Sequence, residues 1–347
     1  MSITRILALS GITIAAAFAQ APAPAKAKPA AAKPAAAAKF VAPKTPWGEP
    51  DLQGMWPLTH LISVPLVRRG DKAFLTDEEI AAGQAAADRR LANAKSGAIP
   101  VADASNKVMR QTSLIQDPPN GQFPELTDLG KKLQADMRSS YRPGQTVFDK
   151  IEDFAAWDRC ITRGMPVSME TRNYNVGIKI VQSPGYVVVF HEMAHEARVI
   201  PTFPLPMLPA EIKTWLGEPR GHWEGNTLVV VSKNFNGLVG QTSAGVPGSP
   251  GPLQPETTDF TVTERFTRTA ADTIEFSMKV EDPAVMKSSY TVAYPMLLDN
   301  SYEFYEYACH EGNTAVRNYI ETSRYERANP APAAPAKPAA APAKRQQ

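Results

Sequence analysis

Residues 191–198 read His-Glu-Met-Ala-His-Glu-Ala-Arg, five ionisable side chains in eight positions, directly after Tyr186-Val187-Val188-Val189-Phe190. The first five spell H-E-x-x-H, the pattern in which a helix turns two imidazoles toward zinc and a glutamate toward water. On a helix the chemistry would be metal-assisted peptide hydrolysis. On a strand, alternation puts His191, Met193 and His195 on one face, with Glu192, Glu196 and Arg198 on the other. Serial β-branched residues before the motif, and Val199-Ile200-Pro201 after it, favour a strand over 186–200. Pro201, Pro204, Pro206 and Pro209 bar the long helical continuation that commonly supplies a third zinc ligand. Glu211, Glu218 and His222 are the downstream candidates that remain. The strand reading is therefore preferred. No cofactor is favoured, and zinc belongs only to the alternative protease.

The chain holds 5 histidines. His60 sits in the front part and reads as a loop residue, whereas the other four fall in the second half. His222 lies in Glu218-Pro219-Arg220-Gly221-His222-Trp223-Glu224, and His310 in Tyr305-Glu306-Tyr307-Ala308-Cys309-His310-Glu311. Imidazoles near carboxylates and arginines suit proton transfer, or recognition of an anionic or sugar ligand. The candidate set is His195 as acid or base, with His222 or His310 as its partner. Arg198 and Arg220 would neutralise developing charge, and Glu192 or Glu311 would orient an imidazole. No G-x-S-x-G elbow, phosphate-binding loop or dinucleotide fingerprint occurs.

The elements that must position these residues are mostly strands. Residues 176–182 and 186–190 flank Ser183-Pro184-Gly185, and residues 222–224 and 227–232 flank Gly225-Asn226. Residues 260–267 and 273–280 form a third pair around Ala270-Ala271-Asp272, and 289–295 and 302–309 add further β character. Successive short pairs predict an antiparallel sheet curled into a barrel or sandwich, with a ligand at the open end if it is a barrel. The front half, 45–170, reads as irregular and helical. Thr76-Asp77-Glu78-Glu79 is a capping box for a helix ending near Asn93, and Thr127 caps another through about Ser140. A short helix is expected over 150–157 and a terminal one, capped by Asn313, through about Arg327. Trp47 to Trp56 reads as an ordered loop pinned by two indoles.

Export is expected. Arg5, an apolar stretch from Ile6 to Phe18, and Ala17-Phe18-Ala19 compose a signal peptide over 1–19, cleaved after Ala19. The destination is the periplasm or the exterior. No other segment is apolar for long enough to span a bilayer. Residues 20–44 and 329–347 are Ala, Pro and Lys tethers that bury no core, and through their lysines they could touch the cell envelope. They supply part of the formal charge of +2, so that charge is no argument for nucleic acid. The remaining residues, about 280, suffice for one large domain or two modest ones, divided here as 45–170 and a β domain over 171–328. Cys160 and Cys309 are the only 2 cysteines, and a disulfide is the economical reading for an exported chain. Two buried thiols are the alternative.

The combination Thr45-Pro46-Trp47-Gly48, Asp51-Leu52-Gln53-Gly54, Arg159-Cys160, Pro184-Gly185-Tyr186-Val187-Val188, Glu192, His195 and Arg198 continues through Trp215-Leu216-Gly217 and Arg220-Gly221-His222-Trp223-Glu224-Gly225. Thr227-Leu228-Val229-Val230, Glu264-Arg265-Phe266 and Tyr305 to Asn313 complete it. Across residues 45–327 this pattern resembles a large group of uncharacterised exported bacterial proteins. The resemblance implies membership and carries no activity with it. The position of His191 is commonly another residue in that pattern, which further weakens the zinc reading. The leading expectation is an exported hydrolase or lyase acting on a small molecule or saccharide. The second is a β module that holds such a ligand without turnover.

Overall fold

Alternation of apolar and polar residues builds two antiparallel sheets around one core. In this computed structural model the described residues are 40–93, 107–170, 174–240 and 254–330. The expected signal peptide, most of the first tether and nearly all of the second lie outside them. The first sheet takes the order β1-β3-β4-β5, from β1 (Gly54–Met55), β3 (Ile178–Ser183), β4 (Tyr186–His191) and β5 (Glu196–Pro201). The second runs β2-β10-β9-β8-β7-β6. It comprises β2 (Ile115–Asp117), β6 (Glu218–Glu224), β7 (Thr227–Lys233), β8 (Thr261–Ala270), β9 (Thr273–Glu281) and β10 (Tyr290–Leu297). Three helices accompany them among the described residues: α1 (Asp77–Asn93), α2 (Asp128–Asp136) and α3 (Ala315–Ala328).

The mainly β expectation holds, but the sheets stay open and no barrel closes. Ile178, Ile180, Val187, Val189 and Ile200 of the first sheet share a core with Val230, Val262, Phe266, Phe276, Met278 and Val292 of the second. Burying each such side chain stabilises the fold by roughly 1.5–3 kcal/mol before entropy opposes it. The turn between β3 and β4 needs only two residues because Gly185 takes φ +79°, open to glycine without steric penalty. The front half is woven into both layers. Its β1 pairs with β3 and its β2 with β10. Gln182 of β3 fastens the Trp47–Trp56 loop, accepting from Leu52 N–H at 2.6 Å and donating to Pro50 O at 3.1 Å. Trp56 is fully buried, whereas Trp47 is partly exposed and donates to Glu49.

Several expectations shift locally. Thr76 and Glu79 form the anticipated reciprocal cap on α1. Thr127 caps α2 through Gly130 N–H, but the helix stops at Asp136 because Met137 turns to ψ 138°. The short helix over 150–157 is a single 3-10 turn, Ile151–Asp153. Residues 302–309 form no strand; Tyr302 O–H and Tyr305 N–H donate to the Glu192 carboxylate instead of to a neighbouring strand.

His60 is buried rather than looped into solvent. Its Nε2–H donates to Pro295 O at 2.8 Å, and burial pushes the imidazole from 6.5 down to about 4. The unfolded chain therefore takes up this proton first as pH falls. The contribution is intact above about pH 6.5 and is progressively lost toward pH 4, amounting to about 3 kcal/mol at full titration. Urea unfolding of wild type and His60→Gln at pH 7.0 and 4.5 checks this. The variant should lose clearly less stability over that interval; equal losses would refute the assignment.

Candidate functional site

The segment that carries the opening motif is neither a helix nor one strand. It is a hairpin: β4 ends at His191, β5 begins at Glu196, and a 3-10 turn over Met193–His195 joins them. Ala194 and His195 adopt φ 63° and 55°, so the polypeptide reverses there without a glycine. The reversal pairs His191 with Glu196 and Val189 with Arg198. The expected division of the segment between two strand faces is replaced accordingly. His191, Glu192, Glu196 and Arg198 are all buried, while His195 is partly exposed.

Each buried charge of the hairpin is committed to holding the fold. Glu192 accepts from Gly177 N–H, Asn175 Nδ2, Tyr302 O–H and Tyr305 N–H at 2.6–3.1 Å, which clamps residues 302–305 to the start of β3. It orients no imidazole. Glu196 accepts from Thr162 Oγ1, Arg163 N–H and Ser168 Oγ, anchoring the 162–168 loop. Arg198 reaches across the core to Glu264 of β8 in a two-pronged ion pair. Arg220 donates to Leu205 O, Pro206 O, Pro219 O and Glu218, fixing the proline-rich approach to β6.

The imidazoles do not form a constellation. His195 Nε2 accepts from Tyr307 N–H at 2.9 Å, which places the ring proton on Nδ1. His222 is exposed and meets Glu224 at 3.2 Å, beside the Glu224–Arg265 pair. His310 and Glu311 are exposed, in the turns ahead of α3. Among the described residues no hydrogen bond or ion pair joins His195 to His222, His310, Arg198 or Arg220. Nor does any group of three or more His, Cys, Asp or Glu residues stand ready to hold a metal ion there.

A built cavity lies next to His195, around the two cysteines. Cys160 and Cys309 are bonded, with Cα atoms 5.6 Å apart, as the exported reading expected. The bridge forms part of the wall of a cleft of about 270 Å³. Tyr141, Phe154, Trp157, Tyr174, Tyr307 and Tyr319 supply its rings, with Asn313 and Asp158 at its polar edge. Trp157 and Tyr174 each lie within 27° of parallel to Tyr307, at centroid separations of 6.0 and 6.5 Å. The buried Arg163 guanidinium sits 4.0 Å from the Trp157 ring centre, a cation–π contact of about 2 kcal/mol when desolvated. Asp158 accepts from Ser139 Oγ, Ser140 N–H and Oγ, and Ala155 N–H, which holds the irregular wall in place.

The electrostatics favour neutral donors around one cation. Burial pushes the Tyr307 hydroxyl up to about 12, and Tyr174 adds to that shift, so this hydroxyl stays neutral at physiological pH. Burial pulls the Arg163 guanidinium down, while Tyr141, Tyr174, Tyr307 and Glu196 hold it up. The cleft thus combines apolar ring surface with tyrosine hydroxyls that can donate and accept hydrogen bonds. They include no activated nucleophile.

None of these aromatic residues was singled out from the sequence as part of a site. The usable signal was the cysteines: Trp157 stands three residues before one, Tyr307 two before the other, and a bridge brings both rings together. No protein-family model, curated protein or solved structure matches this chain.

Proposed function

We propose that this is an exported protein that binds a small saccharide, without turning it over, in the aromatic cleft beside Cys160–Cys309. The observation that carries this reading is the run of near-parallel rings Trp157, Tyr307 and Tyr174, backed by Arg163. A pyranose presents an apolar C–H face to such rings and its hydroxyls to the tyrosine and amide groups at the rim. At about 0.5–1.5 kcal/mol for each ring contact, three contacts set the expected dissociation constant at about 1 mM or weaker.

Calorimetric titration with a panel of mono- and oligosaccharides tests it. At least one sugar should bind, and Tyr174→Ala should weaken it roughly 3–10-fold, in line with the loss of one ring contact. Tyr174 is partly exposed, so the variant should fold. Failure of the whole panel, or an unchanged affinity in the variant, would reject the cleft. A catalytic reading keeps one supporting observation, the bond from Tyr307 to His195 at the edge of the cleft. Chromatography of the sugar after incubation separates the two: intact ligand supports binding alone, and products that vanish in His195→Ala support a hydrolase or lyase.

A further inference from the structure

A second, larger cleft of about 550 Å³ opens between α2, the 152–159 segment and the backbone at 237–240 and 255–256. Leu133, Met137, Trp215 and Val239 give it apolar walls. Its volume lies in the range that encloses a small organic ligand. Two arginines face it, in different states. Arg138 pairs with Asp153 at 3.1 Å and donates to Val147 O. Arg159 is half-buried, and among the described residues its only side-chain bond runs from Nε to Ala155 O at 3.4 Å. Among the described residues, no acceptor and no carboxylate lies within reach of its two terminal nitrogens.

We propose that this cleft is a second ligand site, for an apolar carboxylate whose head group pairs with Arg159 and whose body lies on Trp215 and Met137. A guanidinium with both terminal nitrogens open matches a carboxylate in two-pronged geometry. The other charges of the cleft do not cancel that attraction. Asp136 is paired with Lys132 at 2.6 Å, and Glu152 is exposed to solvent. Glu256, buried in the wall, accepts from Val239 N–H at 3.3 Å. Burial pushes its carboxyl up to about 8, with Asp282 behind it adding to the shift, so it is uncharged at neutral pH. Above that value it ionises and opposes a bound anion. This site is independent of the saccharide cleft, although Phe154 borders both.

The test compares 2-naphthoate with 2-naphthalenemethanol, which share a ring body and differ in charge, by titration calorimetry on the full chain. The carboxylate should bind at least 10-fold more tightly than the alcohol. Arg159→Gln should abolish that preference, and Arg159→Lys should retain part of it. Raising the pH from 7 to 9 should weaken naphthoate binding about 5–10-fold in wild type and leave it unchanged in Glu256→Gln. Tyr174→Ala, in the other cleft, should have no effect on naphthoate. Equal affinity for acid and alcohol, a preference that survives Arg159→Gln in a variant with an unchanged melting curve, or loss of binding through Tyr174→Ala would each overturn the assignment.

Discussion

Truncating Arg198 to alanine is expected to lower the unfolding free energy by about 3–5 kcal/mol, because it strands the Glu264 carboxylate inside the core. The two side chains are 1% and 0% exposed, and they bridge β5 of one sheet to β8 of the other. Neither charge has solvent to fall back on. Among the described residues Arg198 Nε has no acceptor of its own, so the desolvation penalty of the pair is offset there by its two parallel hydrogen bonds. Lysine should not rescue the site, since a point charge cannot reproduce the fork. The double replacement Arg198→Met with Glu264→Leu should recover most of the loss, because it removes both charges and keeps the volume. Urea unfolding of wild type, both single variants and the double variant measures this. A single-variant loss below about 1 kcal/mol would contradict a desolvated pair.

Removing the disulfide has a comparable effect through a different route. Cys160 and Cys309 are separated by 149 positions, and a loop of that size corresponds to about 5 kcal/mol in the chain-entropy treatment. The stabilisation acts chiefly on the unfolded chain, whose freedom the bridge restricts. Cys160→Ser with Cys309→Ser should therefore shift unfolding strongly and make it insensitive to reductant, while wild type in reductant should approach the double variant. The same change releases one wall of the aromatic cleft from the other. Glu192 still clamps residues 302–305, so the segment stays docked at its start and loosens near Tyr307. Sugar affinity should fall with it. If reductant leaves the unfolding midpoint unmoved, the bridge contributes far less than its span implies.

The strand pairs and helix caps were legible because local chemistry specifies them. Pro184-Gly185 and Gly225-Asn226 are turn residues between alternating runs, and Thr76 with Glu79 is a reciprocal cap. The reversal at 192–195 was not legible. It places alanine and histidine at positive φ; alanine seldom adopts that region and histidine does so only in a minority of cases, and the reversal is held by long-range bonds to Gly177, Tyr302 and Tyr305. The candidate site suffered for the same reason. Clustered charge near His195 read as chemistry, yet the tertiary structure uses Glu192, Glu196, Arg198 and Arg220 to pin segments together. The aromatic cleft draws on Tyr141, Trp157 and Tyr174 from irregular backbone, Tyr307 from the irregular segment ahead of α3, and Tyr319 from α3 itself, and no single periodicity joins them into a shared face. In the sequence only the cysteine pairing links them, and a pairing inferred from export says nothing of what lies around it.

Trp157 is one of 5 tryptophans, which makes occupancy of the aromatic cleft directly observable. With 5-fluorotryptophan incorporated throughout, and the Trp157 resonance identified from Trp157→Phe, a saturating saccharide should move the Trp157 fluorine signal and leave those of Trp47, Trp56, Trp215 and Trp223 in place. A spectrum in which Trp157 stays still while the sugar is bound, or in which Trp215 moves instead, would contradict a saccharide site at Cys160–Cys309.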